Sequence, residues 1–235
     1  MNYIETTQRF LNYFVGKSLV VDGIQGIQTN LAIQSAIQRL KLKFRALNWE
    51  WKDANFIAIR TDLDIDNTFD DWFVLVDRNR LIAVPASTVS GFGGIWKYWN
   101  RWFYGKQGVA SIAHNQQINY LLVENTDKSL IAKFGQWWVN WSGMKLFLYQ
   151  DQPIDLYMGA VFTNGIWQID INNLVKGTEG SGHNVHSWQN VIGQLVNSLS
   201  EGCQVTTADY WEFIVMPFLK AIAVNKRVIY SLIKM

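Results

Sequence analysis

The sequence predicts an α+β fold, in which a small helical N-terminal module is followed by a β-rich sandwich or barrel domain with a C-terminal helix. Three observations predict this class. Apolar residues recur at helical spacing as far as Lys43, alternation and short apolar runs then replace that spacing, and a helical pattern returns after Thr207. We place the module at residues 1–46 and the β-rich domain at residues 54–235, with the segment ALNWEWKDA joining them.

The N-terminal module is predicted to contain two helices around a glycine-containing loop. The first spans residues 3–15, and its apolar face consists of Ile4, Thr7, Phe10, Leu11 and Phe14. The second runs from Asn30 to Lys43, with Thr29 as its N-cap. Its apolar face consists of Leu31, Ile33, Ala36, Ile37 and Leu40. A unit of about 45 residues is marginal alone, so we expect it to pack against a neighbour.

The central part of the chain is predicted to consist of strands. Eight segments show alternation or short apolar runs: NFIAIRT, DWFVLVD, LIAVPAST, GVASIAH, INYLLVEN, MKLFLYQ, GAVFT and IWQIDIN. The segment RNR and the pair Asn164-Gly165 predict tight turns between strands. The C-terminal stretch YWEFIVMPFLKAIAVNKRVIYSLI is apolar but contains charged residues and Pro217, so we interpret it as a buried amphipathic helix and not as a membrane span.

Composition and the N-terminal sequence narrow the possible functions of the protein. The net charge of +2 is too small for a general nucleic-acid binder, which would carry a basic stripe. The N-terminus lacks the features of a secretory signal, so we expect synthesis in the cytoplasm. Twelve Trp residues are enough to line a carbohydrate or peptide groove, although core packing is the interpretation we favour for most of them.

The sole cysteine, Cys203, is a candidate nucleophile. It follows a glycine in SLSEGCQV and comes just before the predicted C-terminal helix. A catalytic thiol needs a base or a helix N-terminus nearby. His186 and His183 precede Cys203 by 17 and 20 positions, and either is a candidate base. The alternative is a buried structural cysteine, and spacing alone does not separate the two.

The N-terminal loop carries a recognisable motif. The segment VDGIQGIQTNLAI resembles the signature DGxxGxxT-x-x-A-[IV] of the helical peptidoglycan-binding domain family. The matching positions are Asp22, Gly23, Gly26, Thr29, Ala32 and Ile33, and the resemblance covers residues 3–45. It implies that this module binds bacterial peptidoglycan through Asp22, Gly23, Gly26 and Thr29.

A second resemblance surrounds the cysteine. The tetrapeptide Ser200-Glu201-Gly202-Cys203 is similar to the [ST]-H-G-C motif of L,D-transpeptidase (YkuD-type) domains and of phage-encoded relatives. These are β-rich cysteine enzymes that act on peptidoglycan stem peptides. The resemblance implies a catalytic group of Cys203, Ser200 and Gly202, with backbone N–H groups around Gly202 and Cys203 stabilising the oxyanion.

This chain departs from that family at the base. Aligning the strand at residues 168–173 places Asn172 where the family has its histidine, and Glu201 replaces the histidine of the tetrapeptide motif. We therefore expect the loop histidines, His186 or His183, to supply the base. No cofactor is expected.

Metal sites and aromatic clusters are weaker candidates. The acidic segment DLDIDNTFDD lacks the glycine and glutamate of a calcium loop, and His183 and His186 have no third zinc ligand at suitable spacing. We therefore interpret the acidic segment as a surface loop. The Trp-rich segments 94–106 and 136–143 are candidates either for a sugar-facing surface or for helices packed inward.

Two hypotheses follow. The first is a phage lysin or virion-associated lysin, whose cysteine acts on stem peptides as a peptidase or transpeptidase. The second is a catalytically inactive phage virion or tail protein that binds cell wall or neighbouring subunits. Both place the protein at the bacterial wall, which it reaches by cell lysis, as part of a phage particle or through an export machine.

Overall fold

The computed structural model describes residues 2–65, 68–89, 110–124, 146–179, 183–188 and 203–235. Its helices are α1 (Tyr3–Val15), α2 (Ile27–Ala46), α3 (Ala208–Tyr210) and α4 (Met216–Ile222), with a π-helical turn, Trp211–Val215, joining the last two. Its strands are β1 (Ala54–Arg60), β2 (Asp71–Asp77), β3 (Arg80–Ser87), β4 (Ala110–Ile112), β5 (Gln116–Glu124), β6 (Leu146–Tyr149), β7 (Ile154–Met158), β8 (Ala160–Thr163), β9 (Ile166–Ile169), β10 (Leu174–Thr178), β11 (Val185–Trp188), β12 (Gln204–Thr207) and β13 (Arg227–Lys234).

Eight of these strands close into a barrel. Their order around it is β1-β13-β5-β6-β11-β12-β3-β2, while β10-β7-β4 form a separate sheet and β8-β9 a hairpin. The predicted fold class is confirmed, and each of the eight predicted strand segments contains a strand. The two predicted turns are confirmed as well, because β2–β3 and β8–β9 are tight hairpins whose turns include positive-φ residues, Arg78 in the first and Asn164 and Gly165 in the second.

The barrel interior follows from strand alternation. On β1, Phe56 and Ala58 face inward, whereas Ile57 and Ile59 face outward. Aromatic rings fill the middle of the interior, where Phe56 contacts Phe73 edge-on at 5.3 Å and Tyr230 at 5.1 Å between ring centroids. Inward-facing aliphatic side chains of the other barrel strands surround them, so the barrel is a packed core.

The helices α1 and α2 cover the outside of the barrel. Their apolar residues share one buried cluster with the outward side chains of β1, β2 and β3, so the module is packed against the barrel as expected. These three strands are therefore buried on both faces, which explains why their sequences are nearly continuous apolar runs. The α1 residues Thr6 and Thr7 also hydrogen-bond Ala83 of β3, at 2.9 Å to its carbonyl and 3.1 Å from its N–H.

The start of α2 differs from the prediction. The helix begins at Ile27 and its N-cap is Gly26, so the expectation that Thr29 caps the helix is wrong. Thr29 lies in the first turn of the helix, where its hydroxyl is buried and within 3.3 Å of Gln8 Nε2. Leu31, which we placed on the apolar face, is 57% exposed. The helix α1, by contrast, has the predicted bounds.

The end of the chain also differs from the prediction. The helical segment stops at Ile222, a turn with positive φ at Asn225 and Lys226 follows, and Arg227–Lys234 forms β13. This strand lies between β1 and β5 and completes the barrel. A run such as VIYSLI is compatible with a buried helix or a buried strand, and only the pairing partners decide between them. None of the described helices combines the length and apolar character needed to cross a bilayer.

Candidate functional site

One end of the barrel brings the candidate cysteine and histidines together. The strand β12 begins directly after Cys203 and pairs parallel with β11, with Val185 opposite Gln204. On its other side β12 runs antiparallel to β3, with Val205 opposite Ser87. Cys203 therefore lies at the end of the barrel where β1 and β3 finish and β2, β11 and β12 begin. We call this the polar end of the barrel.

His186 is positioned by the register between β11 and β12. It lies opposite Val205, which is two residues after Cys203. Side chains two residues apart on a strand lie on the same face of the sheet, and Cys203, half-buried, packs with Val205 and Phe69. The sequence placed His186 in a loop, but the structure places it on the neighbouring strand, on the same face as Cys203.

The hydrogen bonding of His186 defines its tautomer. Its Nδ1 lies 2.7 Å from the carbonyl oxygen of Ser187, and because a carbonyl can only accept, Nδ1 carries the proton. In the neutral ring, Nε2 is then the basic nitrogen. Burial lowers the pKa of His186 to about 4, and the bond to Ser187 opposes that shift. The ring is therefore neutral at pH 7, with Nε2 unprotonated.

This buried histidine makes stability depend on pH. Because the pKa of His186 is about 4 in the folded protein against an ordinary 6.5, the unfolded chain binds this proton more tightly between the two values. Above pH 6.5 the ring is neutral in both states, and its contribution to stability is complete. As the pH falls from 6.5 to 4, the free energy of unfolding decreases by about 3 kcal/mol. We expect urea unfolding of His186→Gln to depend less on pH between 7 and 4.5 than that of the wild type. Equal pH dependence in the two proteins would contradict the assignment.

His183 is held by the structure around it. Its backbone N–H donates to Gln150 Oε1 at 3.1 Å, and its carbonyl accepts from the hydroxyl of Tyr120 at 2.9 Å. Its Nε2 lies 3.3 Å from the carbonyl oxygen of Ala110 on β4. The last of these contacts joins the His183 ring to β4. His186, by contrast, lies on the strand that pairs with β12.

A buried ion cluster lies at the same end of the barrel. Arg60 donates to the Thr88 hydroxyl at 2.9 Å, the Thr88 carbonyl at 2.6 Å and the Ile112 carbonyl at 2.9 Å. Asp71 accepts from the backbone N–H and hydroxyl of Thr88 at 2.8 and 2.6 Å, and from the backbone N–H of Thr61 at 2.7 Å. Thr88 thus bridges the two charges, and Arg60 joins the cluster to β4.

The charges of this cluster compensate one another. Burial lowers the pKa of Arg60, and the charge of Asp71 opposes that shift. Burial raises the pKa of Asp71, while Arg60 and the hydrogen bonds from Thr61 and Thr88 act in the opposite direction. Every one of those hydrogen bonds is donated to a carboxylate oxygen, as an ionised carboxylate requires. The interpretation of the acidic segment as a surface loop is wrong for Asp71, which is buried at the start of β2. A charge at an inward position of an apolar strand was the signal for this pair.

Polar atoms also face the barrel interior beside Cys203. Gln204 is fully buried, and neither of its amide atoms has a hydrogen-bond partner among the described residues; the same is true of the Tyr230 hydroxyl. Burial raises the pKa of Tyr120 well above 10, and the nearby Cys203 raises it further. The interior at this end is therefore polar, in contrast to the packed core behind it.

Two expected members of the catalytic group lie outside the described residues. These are Ser200 and Gly202, and the same holds for Glu201 and for the Trp-rich segments 94–106 and 136–143. Asn172 is described, and its placement within a strand is wrong, because β9 ends at Ile169 and Asn172 lies in the turn that follows. Its N–H bonds Asp170 at 3.0 Å, and β9 pairs with β8 outside the barrel. The strands beside β12 are β3 and β11, and β11 carries His186.

The N-terminal motif residues organise a loop around Gln8. The Gln8 amide nitrogen donates to Asp22 Oδ1 at 2.8 Å and to the Thr29 hydroxyl at 3.3 Å. Its amide oxygen accepts from the backbone N–H groups of Asp22 at 3.1 Å and Gly23 at 3.0 Å. The bond from Gln8 lowers the pKa of Asp22, whose side chain is exposed. Gly23 adopts a φ of +72°, and Gly26 caps α2.

Removing the Gln8 amide is expected to destabilise the protein. In Gln8→Leu the backbone N–H groups of Asp22 and Gly23 lose their acceptor, and we expect a loss of about 2–3 kcal/mol in the free energy of unfolding. Urea denaturation measures it, with Gln38→Leu on the exposed face of α2 as the matched control. Equal midpoints for the two variants would show that the loop does not depend on this amide.

Among the described residues, no group of three or more His, Cys, Asp or Glu side chains is placed to hold a metal ion. Within the acidic segment, Asp64 accepts a hydrogen bond from Gln168 at 2.8 Å, which connects the segment to β9. Comparisons with protein-family models, with characterised proteins and with solved structures find no match to this chain.

Proposed function

We propose that this protein is a cell-wall-binding cysteine enzyme that acts on peptidoglycan stem peptides, as a phage lysin or a virion-associated lysin does. The observation that carries the proposal is the pairing of β11 with β12. It places His186, with its Nε2 basic, beside the strand that begins after Cys203. The N-terminal helices supply the wall-binding module, and their Asp22-Gly23 loop carries the motif that resembles peptidoglycan-binding domains.

The proposed reaction uses nucleophilic catalysis. Nε2 of His186 takes the proton of the Cys203 thiol as the sulfur attacks a stem-peptide carbonyl carbon, which gives a tetrahedral intermediate. That intermediate collapses as the carbon–nitrogen bond breaks, and the imidazolium returns the proton to the leaving amine. The product is a thioester on Cys203. Attack by water regenerates the thiol and releases a carboxylic acid, whereas attack by an amine forms a cross-link.

The Ser187 carbonyl has a defined part in this scheme. It fixes the His186 ring through Nδ1, and it stabilises the imidazolium that forms when Nε2 is protonated. A carboxylate performs this task in serine-protease triads. Because burial holds the ring neutral, proton transfer from the thiol is coupled to attack on the substrate and does not precede it.

The proposal is tested by the release of peptide products from purified soluble muropeptides, measured by liquid chromatography and mass spectrometry. We expect turnover by the wild type and a loss of about 10²-fold or more in His186→Gln, which removes the base. His183→Gln is the matched control, and we expect it to retain activity if it remains folded. Loss in His183→Gln with retention in His186→Gln would overturn the assignment of the base.

A second candidate is an inactive virion or tail component that binds wall or other subunits. It is favoured by exposed apolar side chains around the N-terminal loop, namely Val20, Ile24, Ile27 and Leu31, which are between 57% and 78% exposed. Under this hypothesis the protein binds peptidoglycan sacculi, but its muropeptide products are absent for the wild type and for every variant. The turnover assay therefore separates the two candidates.

A further inference from the structure

An open groove of about 420 Å³ lies where α2 ends and the chain turns toward β1. It is lined by Lys41, Arg45, Asn48, Trp49, Glu50 and Trp51. The strand β1 starts three residues after Trp51 and runs seven residues to Arg60 at the polar end of the barrel. At ~3.3 Å per residue, the groove is about 20 Å from that end. It is therefore separate from the proposed catalytic site.

The two indole rings of the groove are held in fixed positions. Phe44, which is buried, contacts Trp49 and Trp51 edge-on, with ring centroids 5.4 and 5.0 Å apart. The backbone N–H of Trp49 donates to the Phe44 carbonyl at 2.8 Å, and Asn48 makes the turn in the left-handed region at a φ of 57°. Both indoles are only half-buried, so rigid aromatic surface remains accessible to a ligand.

The charges that line the groove are mainly positive. The Lys41 ammonium lies 5.7 Å from the centre of the Trp51 ring, and Arg45 lies one turn further along α2. The acidic lining residue, Glu50, is 3.9 Å from the ammonium of Lys52. A ligand in this groove thus meets two indoles, two cations, the amide of Asn48 and the carboxylate of Glu50, which is partly offset by Lys52.

These groups match a sugar polymer that carries carboxylates. Indole faces stack on the apolar faces of pyranose rings, the Asn48 amide suits N-acetyl groups, and Lys41 and Arg45 suit carboxylates. The volume falls within the ~300–1,000 Å³ typical of ligand clefts. A nucleic-acid strand fits less well, because the chain carries a net charge of only +2.

We propose that this groove is a glycan subsite that binds stretches of the peptidoglycan amino-sugar strand from which the stem peptides have been removed, since only there are the lactyl carboxylates free to meet Lys41 and Arg45. The inference rests on the proposed function for the identity of the polymer. It assigns glycan recognition to Trp49, Trp51, Lys41, Arg45 and Asn48, none of which belongs to the DGxxGxxT motif. The protein would then bind peptide-free stretches of the sugar strand at one end of the barrel, while the opposite end processes stem peptides that remain on the wall.

The test uses the full chain with Cys203→Ala, so that binding is measured without turnover. The probes are glycan strands freed of stem peptides by an amidase, neutral chitin oligosaccharides and single-stranded DNA. We expect glycan strands to bind best. Arg45→Ala and Asn48→Gly are expected to weaken that binding by about tenfold or more. Both side chains are exposed, and glycine keeps the backbone conformation of position 48.

Leu42→Ala is the matched control, because this residue is 60% exposed on α2 and does not line the groove. Unchanged glycan affinity in Arg45→Ala and Asn48→Gly would overturn the subsite, and so would binding of DNA as tight as that of glycan. Turnover of soluble muropeptides by the wild type reports on the catalytic site and not on the groove. If the wild type cleaves muropeptides while all the groove variants bind glycan strands equally well, the subsite is refuted and the proposed function still stands.

Discussion

An alanine at position 203 is expected to stop the release of stem-peptide products by at least about 10³-fold, while the protein keeps its melting temperature. The sulfur is the atom that forms the bond to the substrate in the proposed mechanism, so its removal leaves no covalent route. Initial rates on soluble muropeptides, followed by liquid chromatography and mass spectrometry, measure the effect. Because Cys203 is half-buried beside Val205 and Phe69, the loss of one sulfur has only a small effect on packing.

Cys203→Ser is the matched control for shape. The hydroxyl replaces the thiol almost isosterically, but the neutral imidazole of His186 is a weak base for an alcohol, so we expect this variant to be nearly as inactive as Cys203→Ala. Turnover by Cys203→Ala at the wild-type rate would eliminate the nucleophile from the mechanism.

The largest expected effect on stability comes from Asp71. Replacing it by asparagine leaves the fully buried Arg60 without its counter-charge, and it places an amide donor against the N–H and hydroxyl donors of Thr61 and Thr88. We expect a loss of about 3–5 kcal/mol in the free energy of unfolding. The midpoint of thermal unfolding should fall by about 10 °C, since ~1 kcal/mol corresponds to 2–4 °C for a domain of this size.

Asp77→Asn is the control, because Asp77 is exposed at the other end of the same strand. A double variant, Arg60→Met with Asp71→Leu, removes both charges. It should recover part of the stability that Asp71→Asn loses, because the uncompensated buried charge is gone. Equal destabilisation by Asp71→Asn and Asp77→Asn would show that the cluster does not stabilise the barrel.

The elements that the sequence predicted correctly are those whose apolar pattern is visible within one short segment. The bounds of α1 follow from an apolar face formed by residues such as Phe10, Leu11 and Phe14, and β1 to β3 follow from apolar runs bounded by turns. The missed barrel strands have a different character. β11 and β12 are four residues each and contain His186, Ser187 and Thr206, so their burial depends on partners distant in the chain. Pairing between β1 and β13 joins the two ends of the barrel sequence and has no local signal.

The candidate site likewise has a part that the sequence predicted and a part that it did not. The motif around Cys203 identified the cysteine as a candidate nucleophile, and spacing identified His186 as a candidate base. Residue spacing could not predict that β11 pairs in parallel with β12. The family alignment placed the position of the base at Asn172 instead. Arg60 and Asp71 lie in different strands, and they are brought together only when the barrel closes.

The central claim, that Cys203 becomes acylated by a stem peptide, is tested most directly by intact-protein mass spectrometry. The wild type is mixed with tetrapeptide-bearing muropeptides, quenched in acid within seconds and weighed, and the adduct is located by peptide mapping. We expect one added acyl group on the peptide that contains Cys203, removable by hydroxylamine and absent from Cys203→Ala. Consumption of muropeptides with no adduct on Cys203, or an adduct that persists in Cys203→Ala, would contradict it.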